Sequence, residues 1–122
     1  MIEDMVNKPY GADLVGQSRR FICWHFCRRV YNILALPPLK LQHQSGLTKI
    51  AGPMVPCVVL FRAALDWHSG IVWPDGLHFV HACSMNIFEP NPTEYVIKKE
   101  RLTGWPWKVL TEGFYSNANY KT

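Results

Sequence analysis

The sequence predicts an α+β fold in which one N-terminal helix packs on an antiparallel sheet of about five strands. Two observations carry that expectation. Apolar residues recur at three- and four-residue steps from Cys23 to Leu34, and beyond Pro56 the pattern changes to short apolar, β-branched runs separated by turn signals. A chain of 122 residues, 48% of them hydrophobic, is long enough to bury one core, so residues 1–122 are read as a single domain.

Residues 1–20 are polar, with bends at Pro9-Tyr10-Gly11 and Gly16-Gln17-Ser18. In the helix that follows, Cys23, Phe26, Cys27, Val30, Ile33 and Leu34 share one side and Arg28, Arg29 and Asn32 the other, and Pro37-Pro38 ends it. Its start is open between two positions. A late start puts Cys23 in the first turn, where unsatisfied N–H groups favour the thiolate, whereas capping by Ser18 puts it in the second turn and removes much of that effect.

Residues 37–56 read as a long connection carrying a short turn at Leu47–Ile50. Cys57–Phe61 is a continuous apolar run, the pattern of a strand buried on both faces. Two further strands, His68–Trp73 and Leu77–Ala82, are joined through Trp73-Pro74-Asp75-Gly76. A fourth strand is expected at Thr93–Lys98, after the Pro90-Asn91-Pro92 break, and a fifth at Val109–Tyr115, after Trp105-Pro106-Trp107.

The net charge of +4 is scattered, with Lys98-Lys99-Glu100-Arg101 the nearest approach to a cluster, so a nucleic-acid partner is not expected. No apolar run reaches membrane-spanning length. Met1–Met5 carries acids where a secretory signal carries bases, so the expected location is the cytoplasm on synthesis, with export or virion association needed to reach a cell wall. The four cysteines are read as free thiols.

The chemistry-bearing residues are Cys23 on the helix and His68 and His81 on the hairpin. A thiol nucleophile requires an imidazole within hydrogen-bond reach and a third polar group to orient that imidazole. A two-residue Pro74-Asp75 connection sets His68 opposite His81 and Gly70 opposite Phe79, on one face, whereas a bulge at Gly76 shifts the register by one and turns His81 away. Gly70, on the face of His68, lets a substrate or the helix approach closely. His25 is too near Cys23 in the helix to serve as its base.

The stretch Cys23-Trp24-His25-Phe26-Cys27-Arg28-Arg29-Val30-Tyr31 resembles the Cys-Trp-Gly-Leu-Val…Val-Tyr segment of NlpC-type cysteine peptidases, particularly the phage-tail-associated kind. His68-Ser69-Gly70-Ile71-Val72 is similar to that family's His-Val-Gly-Ile strand, Phe79-Val80-His81-Ala82 to its Phe-Ile-His-Ala strand, and Gly113-Phe114-Tyr115 to its closing strand. The chain departs from the family at Ile22 and His25, where Asp and Gly are usual, and at Pro56-Cys57, where Gly-Asp is common. The resemblance implies a papain-like core with Cys23 as nucleophile, His68 as base and His81 as orienting residue, and it implies that Tyr10 helps to stabilise the oxyanion. It further implies hydrolysis of peptidoglycan stem peptides at γ-D-glutamyl to diamino-acid bonds, with no cofactor. Two rivals stand beside it: a structural zinc site drawn from Cys23, Cys27, His81 and Cys83, and a non-catalytic wall-binding or virion module.

Overall fold

Ser18 starts the long helix: its hydroxyl accepts a hydrogen bond from the Phe21 N–H, and α1 runs Arg19–Ile33. The computed structural model describes residues 2–14, 16–63, 66–84 and 94–117. Within them the strands are β1 (Pro9–Tyr10), β2 (Leu47–Ile50), β3 (Val58–Ala63), β4 (Asp66–Val72), β5 (His78–Cys83), β6 (Tyr95–Arg101) and β7 (Thr111–Asn117), with a single helical turn, α2 (Trp107–Leu110), before the last. The Pro90-Asn91-Pro92 break and the strand start at Thr93 lie outside the described residues.

All seven strands join one antiparallel sheet in the order β1-β6-β5-β4-β3-β7-β2. This corrects the expected papain-like α+β core with its helix on about five strands: among the described residues the architecture is a seven-stranded sheet with one long helix. The two additional strands are the edges. β1 is only two residues long and β2 four, too short to establish a period-two signal, and β2 keeps Thr48 and Lys49 in solvent. Their pairing with β6 and β7 is decided by what lies beside them in space.

Strand alternation divides the core into two layers. One face gives Val58, Leu60, Ile71, Val80, Ala82, Tyr95 and Ile97 to a cluster with Ile22, Phe26, Cys27 and Val30 of α1. The opposite face gives Val59, Phe61, Val72 and Phe79 to a second cluster, closed by Leu102 and Trp107. Both layers are buried, which explains why β3 reads as an unbroken apolar run. Among the described residues, no helix is long and apolar enough to cross a membrane.

Candidate active site

Because Ser18 caps α1, Cys23 falls in the second turn, beyond the reach of most of the helix N-terminal charge. Its side chain is fully buried and points at β4, where Ser69 Oγ donates to Sγ at 3.2 Å. Cys27, one turn along on the same side, donates to the same hydroxyl at 3.6 Å. His43 Nε2 stands 3.2 Å from Ser69 Oγ and 3.9 Å from Cys23 Sγ. The thiol, the hydroxyl and the imidazole therefore converge on one point, and the Cys23 S–H is directed to the Arg20 carbonyl at 3.4 Å.

His43 reaches this point because the segment before it is tied to the helix. Trp24 Nε1 donates to the Lys40 carbonyl at 2.7 Å, Arg28 Nε to the Leu39 carbonyl at 3.4 Å, and the Trp24 ring lies 5.0 Å from the imidazole. The adjoining groove, of about 550 Å³, is lined by Phe21, Trp24, His25, Leu41 and Gln42 together with Ser18, Arg20, Arg28 and His43, with no acid among them. Arg20 is paired with Asp66 at 2.8 Å, which ties α1 to the start of β4.

Burial governs the protonation of these groups. It pushes the Cys23 thiol up to about 11, against the opposing hydrogen bonds of Ser69. It pulls His43 down to about 4, with the Arg20 charge acting in the same direction and the Asp66 charge opposing it. The resting pair is thus a neutral thiol beside a neutral imidazole.

The two expected hairpin residues meet, but elsewhere. His68 Nε2 is 2.6 Å from His81 Nδ1, and His81 Nε2 is 2.6 Å from Glu100 Oε2. The β4–β5 register pairs Ile71 with Val80 and Val72 with Phe79, two residues away from the tight-turn alignment, so an even shift keeps both imidazoles on one face. That face is the one opposite α1. Ser69, next to His68, contacts Cys23 and Cys27, whereas His68 packs on Phe61 and Trp107. The sheet therefore separates the expected nucleophile from its expected base and orienting residue.

Ionised Glu100 only accepts hydrogen bonds, so His81 donates to it from Nε2 and accepts at Nδ1 from His68 Nε2–H. His68 Nδ1 is left as a buried lone pair with no hydrogen-bond partner among the described residues. Burial lowers both imidazoles. Burial raises the Glu100 carboxyl, but the His81 hydrogen bond and charge outweigh it and hold the group below its ordinary value.

Gly70 serves packing: a Cβ there would lie 2.9 Å from Phe79 Cδ2 and 3.0 Å from the Val80 carbonyl. The Tyr10 hydroxyl is engaged with His25 Nδ1 at 2.6 Å, and its ring packs edge-on against Phe26. The zinc set of Cys23, Cys27, His81 and Cys83 is divided by the sheet, two residues on each face. All four cysteines are free thiols, as expected from the sequence.

Sequence reasoning missed His43, Ser69 and Glu100. Ser69 carried a usable signal, since alternation sends it to the face that His68 does not occupy. Glu100 was hidden in a charged strand end, and His43, in a loop, had no pattern at all. No family model matches the chain, and no curated protein matches it. The likeness to NlpC-type peptidases rests on the short motifs alone.

Proposed function

We propose that this protein is a thiol hydrolase acting on a peptide or amide carbonyl, with Cys23 as nucleophile and His43 as its base. The observation that carries the reading is the convergence of Cys23 Sγ, Ser69 Oγ and His43 Nε2 beside a groove. His43 Nε2 takes the thiol proton as sulfur attacks the carbonyl carbon, and returns it to the departing amine as the C–N bond breaks. Water, deprotonated by the same nitrogen, then cleaves the thioester, releasing the acid and restoring the thiol. With a neutral resting pair, proton transfer accompanies attack and does not precede it.

Sulfur is fully covered at rest, so a carbonyl reaches it only when the turn carrying His43 yields. Arg28, whose Nε meets a backbone carbonyl and which lines the groove beside the Arg20–Asp66 pair, suits a substrate carrying a carboxylate. Peptidoglycan stem peptides and a chromogenic γ-glutamyl anilide are therefore the first substrates to assay. Cys23→Ala and His43→Ala are each expected to lower turnover by at least about a hundredfold with the fold retained. A fluorescent peptidyl vinyl sulfone should label Cys23 in the native protein and lose that preference in His43→Ala. Equal labelling of Cys57 or Cys83, or indifference to His43, would sink the reading.

A further inference from the structure

On the face of the sheet away from Cys23, three side chains of different chemistry point to one place. His81 and Cys83 are alternate residues of β5, and Glu100 comes from the neighbouring β6, so all three stand on paired strands. One ligand-type atom from each, nitrogen, sulfur and oxygen, lies within 4.8 Å of the other two. We infer that His81, Cys83 and Glu100 form a binding site for a divalent transition metal of zinc type, with the fourth coordination position open.

Three features support the site independently of the hydrolase reading. The donor set of imidazole, thiolate and carboxylate is one that zinc accepts, and three protein ligands leave one position for water. The imidazole is already oriented, because His81 Nδ1 is held by His68 Nε2 at 2.6 Å, the second contact that metal-bound histidines make. Access exists at the carboxylate: His81 is fully buried, but the Glu100 side chain is 34% exposed.

Binding requires one local adjustment. Two ligands at ~2.0–2.1 Å from a tetrahedral ion sit roughly 3.3 Å apart, so the 2.6 Å contact between His81 Nε2 and Glu100 must open. Glu100, the exposed partner, is the one free to swing. The metal then takes the Nε2 position of His81, whose proton count is kept by moving to the Nδ1–H tautomer, with His68 switching likewise to Nδ1–H. One proton, that of the Cys83 thiol, is released for each ion bound.

Cobalt(II) titration of the full chain tests this directly. The expected result is one ion per chain, with a thiolate-to-cobalt charge-transfer band that Zn²⁺ displaces. The band should persist in Cys23→Ala, vanish in Cys83→Ser, and require at least about tenfold more cobalt in Glu100→Gln. Should Cys83→Ser not fold, zinc-edge X-ray absorption of the wild-type protein counts the ligands instead, and one sulfur per zinc is expected. Absence of the band in the wild-type protein, its loss in Cys23→Ala but not in Cys83→Ser, or a count of no sulfur or two would overturn the inference. Because Cys23→Ala removes the proposed nucleophile and leaves this site whole, failure of either proposal leaves the other readable.

Discussion

Ser69 is the residue on which the candidate site depends. Its hydroxyl donates to Cys23, accepts from Cys27 and stands at hydrogen-bond distance from His43, all with no exposure to solvent. Removing a buried hydroxyl leaves its partners unsatisfied at a cost of about 1–3 kcal/mol. Ser69→Ala is therefore expected to lower the unfolding free energy by that amount, read as a lower urea midpoint at unchanged m. It should also slow vinyl sulfone labelling of Cys23 roughly tenfold, since thiol and imidazole lose the group between them. A variant equal to the wild type in both measurements would show that the hydroxyl neither organises the pair nor contributes to the core.

At the scale of elements, the β4–β5 hairpin sets two unrelated clusters back to back. Ser69 faces the helix, while His68 and His81 face Trp107, and the separation follows from strand alternation alone. Gly70 lets the two strands lie together with Phe79 folded over them, and an added Cβ would press on a neighbouring backbone carbonyl that cannot rotate away. Gly70→Ala is expected to destabilise the fold by about 1–3 kcal/mol through overpacking. Its effect on thiol labelling should be small, because the clash lies on the face away from Cys23. Chemical denaturation beside a labelling time course separates the two, and loss of labelling without loss of stability would contradict this placement.

Across the molecule, burial holds His43, His68, His81 and the core thiols in their neutral forms. His43 is lowered to about 4 from an ordinary 6.5, and burial lowers His68 and His81 as well. Below about pH 6.5 the unfolded chain therefore binds protons that the folded chain refuses, and stability falls as acid is added. The cysteines act on the other limb: burial raises Cys23 to about 11 and Cys57 and Cys83 to about 12, from an ordinary 9.0. Above about pH 9 the unfolded thiols ionise first, so stability falls again. Urea midpoints measured across pH should thus be highest between about 6.5 and 9, and a midpoint unchanged down to about pH 5 would mean that the imidazoles are not buried neutral.

How much of this was legible in the sequence depends on the range of the interaction. The helix and five of the strands follow from local patterns, because amphipathic periodicity and turn signals are properties of neighbouring residues, whereas the two possible helix starts stayed open until the fold took the Ser18 cap. The grouping of His68 with His81 was one of two registers that the turn allowed, and the even shift of the folded hairpin selects it. The seven-strand sheet was not legible, because its edges are too short to carry a period and acquire their identity from β6 and β7. Nor was the partner of Cys23. Which face of the sheet the helix covers is decided by how both apolar layers are buried, and that choice gave the thiol Ser69 and His43 in place of His68. The sequence by itself determined which groups were available for chemistry; only the tertiary structure decided which of them meet, since a strand offers alternate residues to opposite faces and packing alone selects the face.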